Sequence, residues 1–188
     1  MQKTIKKLIK DSIDVKEHLF TQDTSNIEAI ASECIKAIQG GSKIIFCGNG
    51  GSAADSQHLA AEFVVRFKKN RKSWPAIALT TNTSILTAIG NDFGFKELFS
   101  RQIESMGNEG DVLIAITTSG KSENITNAVK AARTKGIKTI AFTGEKGKSF
   151  AEFCDLALIA PSSDTARVQE IHSLVGHIIC EIVEEKLL

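Results

Sequence analysis

Several features that mark other classes of protein are missing from this sequence. The four cysteines, Cys34, Cys47, Cys154 and Cys180, lie far apart and include no CxxC pair, so they do not form a disulfide framework. We expect them to be small buried apolar side chains in a reducing cytoplasm. Charge of one sign is not in excess either, because 23 lysines and arginines face 22 acidic residues. That balance gives no electrostatic argument for binding nucleic acid or an anionic membrane.

Long apolar runs are missing too. No run reaches the length of a membrane span, and the first twenty residues are charged throughout and lack the apolar core of a signal peptide. We therefore expect a soluble cytoplasmic protein with no membrane partner. The 188 residues suggest one domain, long enough to bury about 70% of its unfolded surface.

Five short apolar runs predict buried strands, and helical patterns separate them. The runs are residues 43–47, 76–79, 111–117, 137–143 and 155–160. Strands that alternate with helices favour a parallel sheet with right-handed crossovers. We therefore predict one doubly wound, flavodoxin-like α/β domain over residues 1–188, with a five-stranded parallel sheet.

Helical periodicity extends beyond this α/β core at both ends of the chain. The predicted helices include residues 2–20, a second one from Thr24 or Ser25 to 39–41, 53–67, 122–136 with Gly136 as a stop, and 165–188. The two N-terminal helices, within residues 1–40, and the long C-terminal helix carry apolar stripes. Those stripes either cover the domain's own sheet or pack against a second subunit, and both interpretations remain open.

Two loops fall where ligands bind in such a sheet, at the carboxyl ends of the strands. "GNGGS" is residues 48–52, and "TTSGKS" is residues 117–122. The second loop offers four hydroxyls before a helix, from Thr117, Thr118, Ser119 and Ser122. Hydroxyls and free N–H groups at a helix start bind anions, and a phosphomonoester suits them. The alternative is an ordinary turn with Ser122 as the N-cap.

The first glycine loop does not match a nucleotide site. It is not GxGxxG, the chain has no GxxxxGK[ST], and no acidic residue closes a second strand about 20 residues later. Binding of NAD or ATP is therefore disfavoured.

Three polar residues follow the glycine loop at intervals of four. His58, Glu62 and Arg66 are predicted on one helix face, beginning about one turn after the loop. A solvated stripe with a Glu62–Arg66 pair is the alternative to a pocket wall. On the C-terminal helix, Gln169 and His177 lie about 80° and 12 Å apart. His172 and His177, taken singly, are typical of core or interface positions.

Four blocks together point to a family. "CGNGGSAADSQHLAAE", "LTAIGNDFGF", "ITTSGKS" and "ARVQEIHSLVGHIICEIVE", in this order and spacing, resemble the phosphoheptose isomerases, enzymes with a sugar isomerase (SIS) domain. The resemblance covers nearly the whole chain. It implies conversion of sedoheptulose 7-phosphate to D-glycero-D-manno-heptose 7-phosphate through an enediolate. That reaction is the first step toward the heptose of bacterial lipopolysaccharide and of some capsules and glycoproteins.

The resemblance also implies roles for individual residues. The residues implied to contact the sugar are Asn49, Gly50, Gly51, Asn91 and Asp92, with Arg66 and Gln169 in the same pocket. The residues implied to bind the phosphate are Thr117, Thr118, Ser119 and Ser122. One zinc ion per subunit is implied at His58, Glu62, Gln169 and His177. Proton transfer falls to Glu62 and His177, in an order left open. The implied assembly is a homotetramer with active sites between subunits, and we predict helices 1–40 and 165–188 at its interfaces.

Two residues depart from the family pattern, and two other functions compete. Asn82 stands where many members have Asp, and Ala166 stands where some have an acid. A non-catalytic relative that binds the replication initiator lacks the acid at 62 and the histidine at 177, and has a basic residue at 119. This chain keeps Glu62, His177 and Ser119, which favours the enzyme. Sugar-phosphate sensors usually add a DNA-binding domain, and none is visible here.

Overall fold

The structure is a computed structural model that describes residues 1–188. A five-stranded parallel sheet lies at its centre in the order β2-β1-β3-β4-β5. The strands are β1 (Ile44–Gly48), β2 (Ala76–Ala78), β3 (Val112–Ile116), β4 (Lys138–Gly144) and β5 (Leu156–Ala160). The predicted doubly wound α/β fold is confirmed, and each predicted strand is present to within one residue at either end.

Eight helices connect and cover the strands. They are α1 (Gln2–Thr21), α2 (Ser25–Gln39), α3 (Gly51–Val64), α4 (Thr83–Asp92), α5 (Ser100–Met106), α6 (Glu123–Thr134), α7 (Lys148–Ala151) and α8 (Thr165–Leu187), with 3-10 turns at Phe95–Glu97 and Glu145–Gly147. None of these helices combines the length and the apolar character that crossing a bilayer requires.

Alternate residues of the strands supply two apolar cores, one on each face of the sheet. Phe46, Ile114 and Phe142 pack with α2, α3 and α8, whereas Ile45 and Leu113 pack with α5, α6 and α7. Side chains on a strand point to opposite faces in turn, so the near-continuous apolar strands follow from helices on both sides.

Helix α3 differs from its predicted bounds at both ends. Gly50, at φ +56°, turns the chain so that the helix begins directly at Gly51, two residues earlier than predicted. The helix ends at Val64, before Arg66 and Phe67. Helix α6 ends at Thr134, and Gly136 follows with φ +69°, as expected for a helix stop.

The structure separates the roles of the terminal helices. Helices α2 and α8 bury their apolar stripes on the chain's own sheet. Helix α1 buries only Leu19, while Ile5, Leu8, Ile9 and Ile13 remain 43–55% exposed. The open alternative therefore resolves differently for each helix: α2 and α8 belong to the core, and α1 leaves an uncovered apolar stripe.

Candidate active site

Helices α3 and α8 lie side by side on one face of the sheet, start at its carboxyl edge and run in the same direction. Near their starts, the Gln169 side chain lies against Gly51, so closely that a Cβ at position 51 would collide with the amide. One turn later, Ser173 donates to the Asp55 carboxylate at 2.8 Å. Farther along, His177 meets His58. Residues about 120 positions apart in sequence thus form one wall.

The predicted phosphate loop borders a pocket of about 270 Å³. Its walls include the four predicted hydroxyl residues, Thr117, Thr118, Ser119 and Ser122, together with the glycine-loop residues Asn49, Gly51 and Ser52, and Ile116, Thr165 and Gln169. The structure therefore brings the two predicted loops together around one small polar cavity.

The hydroxyls of this pocket differ in how they are engaged. Thr117 accepts a hydrogen bond from the Gly120 N–H, which tightens the loop. Ser122 occupies the N-cap position of α6, but its side chain makes no cap bond. The alternative of an ordinary N-cap turn is therefore right about the position and wrong about the hydrogen bond. Ser122 lines the pocket at a helix start, where anions are favoured.

The glycine loop is joined to the phosphate loop by a pair of amides. Asn49 and Asn124 exchange two side-chain hydrogen bonds of 2.9 Å each, and Asn124 is buried. Asn49 therefore lines the pocket, and much of its hydrogen-bonding capacity is used to hold Asn124.

A wider pocket of about 540 Å³ adjoins the first, and Gly51 and Gln169 belong to both. Its walls also contain Asp55, Glu170 and, from α1, Lys16. The two pockets adjoin at Gly51 and Gln169, and the wider one reaches Asp55, which interacts with the charges of His58 and His177.

His58, Glu62 and His177 form a cluster in which one ligand atom from each lies within 4.8 Å of the others. The Nε2 atom of His58 is 3.2 Å from Glu62 Oε1 and 3.1 Å from His177 Nε2. The sequence-based alternative, a solvated stripe with a Glu62–Arg66 pair, is wrong, because Glu62 faces His58.

The donor set of this cluster suits zinc. Zinc takes histidine nitrogen and carboxylate oxygen at about 2.0–2.2 Å, which places ligands of one ion roughly 3–4 Å apart. The separations on either side of His58 fall in that range. Gln169 lies eight residues before His177 on α8, in the adjoining pockets.

Arg66 does not continue the row on α3. It lies beyond the helix end, is exposed, and makes no hydrogen bond or ion pair within the chain. The next residue, Phe67, instead stacks on His177, with ring centroids 5.2 Å apart. The prediction that His58, Glu62 and Arg66 share one helix face is therefore wrong for Arg66. The chain leaves the helix after Val64, and the backbone N–H groups of residues 67–69 donate to the Glu184 carboxylate instead.

Three other predicted sugar contacts also lie outside the pockets of this chain. Gly50 shapes the turn before α3 and is not part of either wall. Asn91 and Asp92, in the last turn of α4, are exposed and hydrogen bonded to each other at 2.7 Å. Their predicted sugar contacts require either a second subunit or movement of the chain.

Sequence reasoning missed several residues of the site, of which Asp55 is the most prominent. Asp55 lies one turn before His58 and two before Glu62, so the helical spacing itself was the available signal. Partial burial raises the pKa of its carboxyl, although the Ser173 hydrogen bond and the charges of His58 and His177 act in the opposite direction.

The structure also places the remaining histidine of α8, His172, and the two residues that depart from the family pattern. His172 is fully buried, as the core interpretation expected, and its Nε2 lies 3.2 Å from the Thr143 carbonyl oxygen. Asn82 caps α4 by accepting from the Ile85 N–H, a role that Asp would serve equally. Ala166 lies in the wall of the wider pocket, so this departure changes the lining.

Comparison with known proteins identifies the same architecture in a defined group of enzymes. A family model described as the SIS domain matches residues 8–144. A phosphoheptose isomerase from Clostridium acetobutylicum is 54% identical over 189 residues, which cover 100% of this chain and 96% of that protein. Solved phosphoheptose isomerases from Neisseria gonorrhoeae and Francisella tularensis superpose with TM-scores of 0.93 and 0.94, at 40% and 35% identity. Each covers 98% of both chains.

These matches extend over the terminal helices as well as the sheet, and they confirm the family predicted from the four sequence blocks. They also favour the enzyme over the initiator-binding and sensor alternatives, because the relatives at high identity are isomerases by name. The chain belongs to the phosphoheptose isomerases, enzymes built on the SIS domain.

Proposed function

We propose that the pockets between the β3 loop, α3 and α8 are where this isomerase converts sedoheptulose 7-phosphate to D-glycero-D-manno-heptose 7-phosphate. The observation that carries the proposal is the hydroxyl-lined pocket, the wider polar pocket that adjoins it, and the His58–Glu62–His177 cluster, which is connected to the wider pocket through Asp55. The phosphate would lie at Ser119 and Ser122, and the reacting carbons at the cluster.

The chemistry of the reaction fits these groups. The ketose loses one proton from C1 and one from the oxygen on C1, while C2 and its oxygen each gain one. A base must take the C1 proton and return it to C2, and an acid must serve the oxygens while negative charge develops on the enediolate. We assign the carbon-bound proton to Glu62 and the oxygen-bound proton to His177.

Zinc would be held by His58, Glu62 and His177, with Gln169 as a weaker oxygen ligand. When bound, it would act as a Lewis acid on the carbonyl and hydroxyl of the substrate. Glu62 has two carboxylate oxygens and His177 has two ring nitrogens, so each side chain has one atom for a ligand bond and another for a proton. Gln169 also donates or accepts hydrogen bonds to sugar hydroxyls from its place between the pockets.

Assembly into a homotetramer is proposed from the surface of the chain. The α1 stripe of Ile5, Leu8, Ile9 and Ile13 is uncovered, and apolar patches of this kind mark contacts between proteins. Arg66, Asn91 and Asp92 are exposed outside the chain's own pockets, which suits active sites shared between subunits. Light scattering should give a tetramer, and a stable, fully active monomer would contradict this assembly.

The deciding experiment combines product identification with metal analysis. Purified protein is incubated with sedoheptulose 7-phosphate, and the product is identified by NMR, with and without a chelator. Metal content per subunit is measured for the wild type and for His58→Ala. We expect D-glycero-D-manno-heptose 7-phosphate, about one zinc per subunit in the wild type and much less in the variant. No turnover of the ketose by metal-loaded protein would contradict the proposed function.

The cellular role follows from the product. We propose that the heptose phosphate supplies lipopolysaccharide or a related glycan, in the cytoplasm. Four free cysteines, with three of them buried, are consistent with a reducing compartment.

A further inference from the structure

A buried ion pair lies directly behind the His58–Glu62–His177 cluster. Arg71 Nε donates to Glu184 Oε1 at 2.9 Å, and the two side chains are 1% and 2% exposed. Burying two charges costs several kcal/mol per ion, so a pair of this kind is weak evidence of a contribution to stability. Its hydrogen bonds indicate a different role.

Arg71 holds the end of the helix that carries Glu62. Its guanidinium donates to the Glu62 carbonyl oxygen at 2.7 Å and to the Phe63 carbonyl oxygen at 2.9 Å. The last carbonyls of a helix have no partner within it, and here one side chain satisfies two of them. Arg71 also stacks on Trp74, with its guanidinium carbon 3.6 Å from the ring centroid, which fixes the plane of the fork.

Glu184 holds the segment that follows. Its two carboxylate oxygens accept from the backbone N–H groups of Phe67, Lys68 and Lys69, each at 2.9 Å. Burial alone would raise the pKa of Glu184, but these hydrogen bonds and the one from Arg71 outweigh it and lower the pKa to about 2. The carboxylate therefore keeps its charge and its acceptor role at every working pH.

Arg71 and Glu184 are each connected to one member of the proposed proton-transfer pair, Glu62 and His177. Glu184 lies seven residues, or two helical turns, after His177 on α8. Phe67, whose N–H it binds, stacks on the His177 ring. Arg71 is attached to the backbone of Glu62 itself. The pair thus connects the end of α3 to α8, two turns beyond His177.

We propose that Arg71 and Glu184 form a positioning clamp that sets the distance and orientation between Glu62 and His177. The inference rests on the proposed proton-transfer roles of those two residues. Neither clamp residue touches substrate. Their effect is on the geometry of the base and of the ring, which must be held closely for proton transfer to be efficient.

The first variant is Glu184→Gln, which keeps the size of the side chain but puts an NH₂ group among N–H donors. In zinc-loaded enzyme, kcat should fall about 10–100-fold, the usual cost of losing a residue that orients a reacting group. KM for sedoheptulose 7-phosphate and inhibition by inorganic phosphate should change little, because the hydroxyl pocket is not touched. The matched control is Glu181→Gln, one turn earlier, which loses only the exposed pair with Lys68 and should keep wild-type kcat.

A second variant, Arg71→Lys, keeps the charge but cannot reach Glu184 and both carbonyls at once. It should reproduce the same loss of kcat, and it tests the clamp even where Glu184→Gln does not fold. A purely structural role would lower the melting temperature and leave kcat per folded enzyme unchanged in both variants, and that outcome would overturn the inference.

A double-mutant cycle separates this inference from the proposed function. Because the clamp sets the geometry between Glu62 and His177, adding Glu184→Gln to Glu62→Gln should lower kcat by clearly less than Glu184→Gln does alone. If the losses of kcat in the two single variants multiply in the double variant, the clamp is overturned, and Glu62 remains the proposed base. Normal kcat in Glu62→Gln alone would instead show that the proposed base is wrong.

Discussion

The hydroxyl-lined pocket and the α3–α8 wall are the two halves of the proposed site, and they are built in different ways. The first half comes from one short stretch, residues 117–122, in which hydroxyls and backbone N–H groups converge at the start of α6. The second half comes from two helices whose facing residues, such as His58 and His177, are 119 positions apart. A loop can hold an anion by itself, whereas the reacting groups need two rigid elements that are locked together.

This difference explains where the supporting contacts lie. Around the hydroxyl pocket they are short and local, such as the Thr117 hydroxyl accepting from Gly120 N–H. Around the wall they are long-range and partly buried, as in Asp55 with Ser173 and Arg71 with Glu184. We therefore expect changes in the wall to act on turnover and changes in the loop to act on binding.

The largest effect is expected for Glu62→Gln. Glutamine keeps the size and a ligand oxygen but cannot take a proton, and positioned acid–base catalysis is commonly worth about 10²–10⁴-fold. The kcat value should fall by at least the lower bound, with KM and the oligomeric state little changed. Steady-state kinetics on purified protein measure this directly.

Excess zinc provides the control for Glu62→Gln. If Glu62 acted only as a ligand, added metal would restore activity to the variant. Near-normal turnover without added metal would place the base elsewhere, with His177 as the next candidate.

The parts of the structure that could be predicted from the sequence follow the same division between loop and wall. The fold and the hydroxyl loop were accessible, because strand periodicity and a cluster of hydroxyls before a helix are local signals. The wall was only partly accessible. His58 and Glu62 share a face in any helix, but the end of α3 at Val64 depends on Arg71 and Glu184, which lie at distant positions in the sequence. Arg66 was misplaced for that reason.

The second prediction concerns His172, which links the two halves. Its Nε2 contacts the Thr143 carbonyl oxygen, and the next residue, Gly144, donates its N–H to Thr118 in the hydroxyl loop. Burial lowers the pKa of His172 from 6.5 to about 4. The unfolded chain therefore binds this proton first as pH falls, so stability is complete above pH 6.5 and is lost toward pH 4.

The expected loss from His172 over that range is about 3 kcal/mol. Urea unfolding at several pH values should show this slope in the wild type and a shallower one in His172→Gln, which keeps a donor for Thr143. The carboxylates are the same in both proteins, so the difference between the two pH slopes reports the contribution of His172. Equal slopes would contradict the assignment.

A smaller effect is expected for Ser119→Ala in the hydroxyl loop. A hydrogen bond to a charged group is worth about 1.5–3 kcal/mol, so KM should rise on the order of 10–100-fold with kcat less affected. Sedoheptulose without phosphate should be a very poor substrate for the wild type. Comparable turnover of sedoheptulose with and without its phosphate would contradict the division into a binding half and a reacting half.

The smallest effect is expected for Gly51→Ala, at the junction of the two halves. The new Cβ would displace the Gln169 amide, whereas alanine adopts the backbone conformation of Gly51, the first residue of α3, without strain. Stability should therefore hold or rise slightly while kcat/KM falls, because one neutral hydrogen bond is worth about 0.5–1.5 kcal/mol, or roughly 2–10-fold.

Gly50→Ala is the matched control with the opposite expectation, since a Cβ at Gly50 would have no atom within 4 Å but the backbone there has φ +56°. It should lose stability through backbone strain and leave Gln169 in place. If thermal melts and kinetics gave the same result for both variants, the contact between Gly51 and Gln169 would have no separate role in joining binding to turnover.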